Sequence, residues 1–243
     1  VGGRAVDDSH LSGYRFLHFD EIDSTNNYLK RLGCDTDGAL CVFADSQSGG
    51  RGRRGRNFVS PDGGLYMSFT TPAGDDPLSD CVTARAAVAV CRAVEAMCGI
   101  SVQIKWVNDI FCNEKKLCGI LCEAIADTDG HIRRIVVGIG INLAGEPAPE
   151  LRGIATSVGA EGGNIPDRRA LCERILSEYL SAGDFREEYA SRQLALGRRV
   201  KVIGSDGTYE AVAEGLDDKC ALVVRDDLGH KHTLNSGEVS LRL

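Results

Sequence analysis

The sequence predicts an α+β protein: a mixed, largely antiparallel sheet flanked by helices, followed by a small C-terminal β-barrel. Three observations carry this. The runs "VQIKWVNDIFC", "LCGILCEAI" and "IRRIVVGIGINL" are separated only by the polar turns "NEKK" and "DTDG", which is the pattern of an antiparallel meander. Helical patterns occupy 23–33, 78–98 and 167–193 around it. After Gly197 the chain changes to short alternating segments divided by "SDG", "DDK", "DLG" and "NSG", a small all-β unit of about 45 residues.

Taken in order, "YRFLHF" (14–19) reads as a strand. A helix follows, with Asp23 or Ser24 as its cap, Tyr28, Leu29 and Leu32 on one face and Gly33 as its stop. "ALCVFAD" (39–45) and "LYMSFT" (65–70) are strands, and the Ala- and Val-rich helix 78–98 closes at Gly99. The meander leads into a Pro- and Gly-rich loop (145–166) and then a long helix, 167–193, on which Leu171, Ile175, Leu176, Tyr179 and Leu180 keep the 3.6-residue period. The terminal strands are "RRVKVIG", "YEAVAEGL", "ALVVRDD", "HKHTLNS" and "EVSLRL". The expected organisation is an N-terminal extension (1–15), a catalytic domain (16–195) and the barrel (196–243).

The 243 residues, 43% hydrophobic and 26% charged, suit a soluble globular protein with a sizeable core. No apolar run is long enough to span a bilayer and the start lacks a signal-peptide core, so no membrane association is expected. A net charge of -7 argues against a protein built to bind DNA or RNA backbone. The ten cysteines are scattered, with Cys81, Cys91, Cys98, Cys118 and Cys122 in apolar runs and no C-x-x-C pair. They read as buried, reduced thiols of a cytoplasmic protein.

Against that acidic background, "SGGRGRRGRNF" (48–58) is locally basic. Gly50, Gly52 and Gly55 spell G-x-G-x-x-G, but Pro61, Gly63 and Gly64 forbid the helix that a dinucleotide fingerprint needs after its third glycine. Walker A and kinase loops fail for want of their partner residues. An RNA-binding module would use the same stretch, but the chain is acidic and the stretch is internal. What remains is an anion-wrapping loop: glycines let backbone N–H groups approach a ligand, and arginines offer paired donors to phosphate or carboxylate. It is expected to order on loading.

Four segments, "DSTN" (23–26), "GRGRRGR" (50–56), "KWVND" (105–109) with "KLCGIL" (116–121), and "GIGIN" (138–142), resemble in order and spacing the catalytic domain of biotin protein ligases. The likeness covers nearly all of 16–243. It implies a class II synthetase-like catalytic fold with an SH3-like terminal barrel. The implied reaction joins biotin to ATP as biotinyl-5′-AMP and passes it to a lysine of a biotin carboxyl carrier domain, on a biotin-dependent carboxylase. Lipoate or octanoate ligases and transferases of the same fold are the alternative.

By the resemblance, Lys116 holds the biotin carboxyl and bridging phosphate, Lys105 contacts nucleotide phosphates, and Arg53 completes the catalytic set. Ser24, Thr25, Asn26, Gln47, Gly50, Arg51, Gly52, Arg53 and Arg56 are implied to contact biotin or its adenylate. Asn108 is implied at the phosphates, and Asp109 as the ligand of Mg2+. Gly119, Leu121 and Gly138 fit the pocket wall, and Asn142 the nucleotide. Trp106, the only tryptophan, fits core packing as well as ligand contact. Two departures stand out: Val107 replaces a common proline, and "NF" (57–58) stands where tryptophan is usual. The segment before Phe16 is too short for the winged-helix DNA-binding domain of some members, so a ligase without repressor function is expected. Some members form homodimers through the catalytic sheet, and no interface is legible here.

Overall fold

The computed structural model describes residues 10–11, 13–34, 38–73, 81–147, 149–204, 207–235 and 238–241. Thirteen strands and four α-helices lie in these residues. The first eight strands are β1 (His10–Leu11), β2 (Tyr14–Ile22), β3 (Ala39–Gln47), β4 (Gly64–Pro72), β5 (Gln103–Lys105), β6 (Asp109–Cys112), β7 (Lys115–Ala126) and β8 (Ile132–Asn142). They form one sheet in the order β1-β2-β3-β4-β8-β7-β6-β5. Only β2 and β3 run parallel; every other pair is antiparallel. The mixed, largely antiparallel expectation is therefore met.

Each strand buries alternate residues on opposite faces, and the two faces differ in what covers them. Cys41, Phe43, Val137, Ile139 and Ile141 join the main core with α2 (Val82–Cys98) and α3 (Arg168–Leu180). On the other face Leu40, Val42, Ile125 and Val136 meet Leu29 of the short helix α1 (Thr25–Leu32). α1 starts where Ser24 Oγ accepts the Asn27 N–H at 3.4 Å and stops at Gly33, whose φ of 73° no β-carbon residue adopts cheaply. α2 stops the same way at Gly99.

Two expectations need correction, and a third is tested only in part. The described part of the second helix begins at Val82, and 78–80 lie outside the described residues. The helix expected over 167–193 is two, α3 and α4 (Arg186–Ser191). Gly183, at φ 45°, turns the chain between them and lets Phe185 drop into the core. Leu180, given to the buried stripe, is instead 40% exposed.

The terminal strands β9 (Arg199–Gly204), β10 (Gly207–Leu216), β11 (Leu222–Asp226), β12 (Lys231–Leu234) and β13 (Glu238–Leu241) form a five-stranded antiparallel sheet, in the order β12-β11-β10-β9-β13. Its Val200, Val202, Ala211, Ala213, Leu222 and Val224 belong to the same continuous core as α2 and the large sheet. The turn before β11 is pinned to the larger unit. Trp106 Nε1 donates to the Cys220 carbonyl at 3.0 Å, and Arg186 Nε to that of Asp218 at 3.0 Å.

Candidate active site

α1 covers only part of its face of the sheet. Beneath the helix that face carries Val136 and Ile125; farther along the same strands it carries Gly138 and Gly140 of β8 and Gly119 of β7. Gly119 pairs with Gly140 and Leu121 with Gly138, so the side chains vanish where the helix ends. The result is a cleft of about 180 Å³ floored by backbone, with α1's first residues at one end.

Lys116 reaches this cleft because of a bulge. Ile110 pairs with Cys118 but Phe111 with Lys116, which leaves Leu117 as the extra residue. Without that shift, period-two alternation would put Lys116 on the core side with Cys118 and Ile120; the bulge brings it onto the face of Gly119 and Leu121. The "NEKK" turn is likewise shorter than it reads. Asn113 and Glu114 make it, at φ 46° and 65°, and Lys115 and Lys116 already belong to β7. Lys116 Nζ stands 2.8 Å from the buried Oδ1 of Asp109.

The Arg/Gly stretch folds over the cleft as a compact turn with its own hydrogen bonds: Gly52 N–H to the Arg56 carbonyl (2.7 Å) and Phe58 N–H to that of Gly50 (2.9 Å). A 3-10 turn at Arg53–Gly55 places Arg54 at φ 55°. Arg53 donates to Asn108 Oδ1 at 3.0 Å, while Asn108 Nδ2 donates to the Ile120 carbonyl at 2.9 Å. Asn108 is thus the clip between loop and β7. Phe58 lies on the glycine floor; a methyl at Gly140 would stand 2.6 Å from its ring and one at Gly119 3.0 Å.

Uncharged polar groups close the other end. Thr25 N–H donates to Gln47 Oε1 at 2.9 Å, and Gln47 Nε2 donates to Ser60 Oγ at 3.1 Å. Asn26 Nδ2 donates to the Leu121 carbonyl (3.2 Å) and to Glu123 Oε2 (2.9 Å). The lining therefore has two chemistries. Arg53, Lys105 and Lys116 gather at the Asp109 end, with Arg54 and Arg56 also in the lining, and Ser24, Thr25, Asn26 and Gln47 stand at the other, where Arg51 lies 3.7 Å from Glu123. Like cations held together around one acid favour an anionic guest.

Most residues expected at the site line this cleft, Gly52, Trp106, Leu121 and Gly138 included. Two do not. Gly50 packs beneath the loop, where a β-carbon would collide with the Phe58 carbonyl and Ser60 Oγ. Asn142 lies past the cleft and donates to the Thr156 carbonyl at 2.9 Å. Trp106 is 4% exposed, packed in the core, and also lines the cleft wall. At Val107 the chain turns, with a cis Trp106–Val107 peptide, and Tyr189 Oη donates to the Val107 carbonyl at 3.0 Å. Sequence reading missed Ser68, Glu123 and Gly140. Gly140 had a signal, since it follows Gly138 at the two-residue spacing of one strand face.

Residues 18–142 match the profile of the biotin/lipoate A/B protein ligase family, and 195–242 that of the biotin protein ligase C terminal domain. The chain belongs to the biotin/lipoate A/B protein ligase family. It is 33% identical over 240 residues to the bifunctional ligase/repressor BirA of Bacillus subtilis, covering 92% of this chain and 73% of that protein. With the biotin–[acetyl-CoA-carboxylase] ligase of Paracoccus denitrificans it shares 32% over 227 residues, 86% of this chain and 93% of the other. Among solved structures, the biotin protein ligase of Aquifex aeolicus in complex with biotin and ATP superposes with a TM-score of 0.78 at 30% identity, over 96% of this chain and 99% of that one. As a family member this chain is an enzyme.

Proposed function

We propose that this protein condenses biotin with ATP to give biotinyl-5′-AMP and pyrophosphate, and then transfers the biotinyl group to the ε-amino group of a lysine on a biotin carboxyl carrier domain. The observation that carries the reading is the two-ended cleft: cations for a triphosphate and a carboxylate at one end, fixed neutral hydrogen-bonding groups at the other. A lipoyl or octanoyl tail has no polar ring to meet Ser24, Thr25, Asn26 and Gln47, and burying those groups unanswered is costly. The neutral end therefore favours biotin over the acyl alternatives.

In this reading a carboxylate attacks a phosphate, two anions that must be brought together, and placed positive charge supplies most of the catalysis. Lys116, aimed by the bulge and held by Asp109, neutralises the carboxylate and the α-phosphate. Lys105 and the loop arginines take the remaining phosphate charge. Mg2+ held mainly by triphosphate oxygens requires only one or two protein carboxylates, so Asp109 fits as its ligand and would add to that neutralisation. Arg53, clipped to Asn108, keeps the loop over the adenylate and excludes water. The second step moves the acyl carbon from phosphate oxygen to amine nitrogen and releases AMP. The buried thiols favour work in a reducing cytoplasm.

The test is to incubate the protein with biotin, MgATP and a carrier domain carrying its acceptor lysine or an arginine there. Biotinylation of the lysine form alone is expected. Biotinyl-AMP formed without any carrier labelling would contradict the transfer step.

A further inference from the structure

The hydrogen bonds around Asn26 run in one direction only, and their origin is a residue outside the ligand-contacting set. Glu123, on β7 two residues beyond Leu121, has its side chain 17% exposed. Oε2 accepts from Asn26 Nδ2 at 2.9 Å and Oε1 from Lys30 Nζ at 2.7 Å, with Arg51 of the loop 3.7 Å from Oε1. Burial pushes this carboxyl's pKa up, but the hydrogen bonds from Lys30 and Asn26 and the charge of Arg51 outweigh burial and hold it below the ordinary value. An ionised carboxylate only accepts, and so does the Leu121 carbonyl, the second partner of Asn26 Nδ2 at 3.2 Å. Flipping the Asn26 amide would set oxygen against both, so its orientation is fixed.

The consequences propagate. Ser68 Oγ lies 2.6 Å from Asn26 Oδ1 and 2.7 Å from Thr25 Oγ1. Asn26 Oδ1 carries no proton, so the single serine proton goes there, and the Thr25 proton lies between the two hydroxyls at 2.7 Å rather than on Gln47 Oε1, which is 3.3 Å away and already accepts the Thr25 N–H. Ser60 Oγ donates to the Phe58 carbonyl at 2.8 Å, so it accepts from Gln47 Nε2, which also fixes the Gln47 amide. With these protons assigned, Asn26 and Thr25 can offer a ligand only acceptors, while Ser24 keeps its hydroxyl proton and Gln47 one N–H.

We infer that Glu123 is the positioning residue that makes this end of the cleft select for ring N–H donors, as in a cyclic urea, by locking Asn26 and through Ser68 the proton of Thr25. This rests on the biotin reading above. The selection is enforced because a ligand atom that cannot donate would face acceptors with nothing between them.

The probes are biotin and the two isosteric cyclic carbamates in which one or the other ureido N–H is replaced by oxygen, compared by kcat/KM for adenylate formation. Wild-type protein is expected to disfavour at least one carbamate by about 100-fold or more, as sites built to bond an N–H do. In Glu123→Gln the side chain can turn its own amide and release Asn26. The KM for biotin is then expected to rise about tenfold with kcat within about twofold, and the carbamate discrimination to narrow about tenfold, in line with one lost hydrogen bond to a charged group. A purely structural role would lower the melting temperature of Glu123→Gln and leave the biotin-to-carbamate ratio unchanged, which overturns the inference. So does wild-type protein that uses both carbamates as well as biotin, a result needing no variant. Wild-type protein that adenylates none of the three overturns the biotin reading itself.

Discussion

Lys116 and Asp109 illustrate how a single side chain's task is set by its neighbours. The lysine has the cleft's one carboxylate 2.8 Å from its ammonium and the Phe58 ring 5.8 Å away, so its charge is directed and its rotamers are few. Lys116→Ala is expected to lower adenylate formation by at least about 100-fold, the usual effect of deleting one preorganised charge stabiliser, measured as single-turnover biotinyl-AMP production. Arg53→Ala removes the 3.0 Å clip to Asn108 and should act differently. Release of bound adenylate into solvent accelerates about tenfold or more while its formation changes less, as followed by filter retention of labelled biotinyl-AMP. Equal retention by both proteins would deny the loop a covering role. Lys116, Arg53 and Asn26 were legible in the sequence because motif order marked them. Glu123 was not, since nothing local distinguishes a carboxylate on a strand from a solvated one; only the packing of α1 against β7 gives it Asn26 and Lys30.

At the scale of elements, the floor depends on glycines spaced two apart and on one extra residue in β7. A β-carbon at Gly138 would collide with Asn26 Oδ1, and Asn26 is held on both sides of its amide. Gly138→Ala is therefore expected to raise the biotin Kd by about tenfold or more and to cost about 1–3 kcal/mol of stability, as overpacking does, read by calorimetry and by urea unfolding. The strands themselves were plain from alternation and turn chemistry, whereas the bulge at Leu117 was hidden, because a one-residue slip leaves the same apolar pattern. The split of α3 from α4 was hidden as well: α3 ends at Leu180 with Ser181 as its cap, and Gly183, at φ 45°, then turns the chain toward α4. In the terminal sheet, Asp226 accepts from the N–H groups of Leu228 and His230 and from His232. The His232 hydrogen bond is the chief reason that its pKa falls from 3.8 to about 2. A carboxylate depressed on folding stabilises the folded state above its ordinary pKa, and that contribution fades as pH falls from about 4 toward about 2. Asp226→Asn should accordingly show a shallower loss of urea stability over that interval than wild type.

Over the whole molecule, the two sheets share one core and meet at the turn that carries Cys220. Trp106, in the wall of the cleft, gives its indole N–H to that turn, so the terminal sheet braces the loop between β5 and β6 from behind. Trp106→Phe preserves the ring's bulk but leaves the Cys220 carbonyl unanswered, an expected loss of about 1–3 kcal/mol in global unfolding. The composition change after Gly197 announced a second sheet, but its docking surface could not be read, because apolar strands look the same whichever partner they meet. The charge pattern was more telling. An acidic chain with one basic stretch implies a small anionic guest, and the cleft gathers four arginines and two lysines within reach of it. The most direct measurement of the central claim is ATP–pyrophosphate exchange by the intact protein, with biotin, lipoate or octanoate offered separately. Exchange stimulated by biotin, and not by the two acyl acids, is the predicted result. Exchange stimulated by lipoate or octanoate and not by biotin would contradict it.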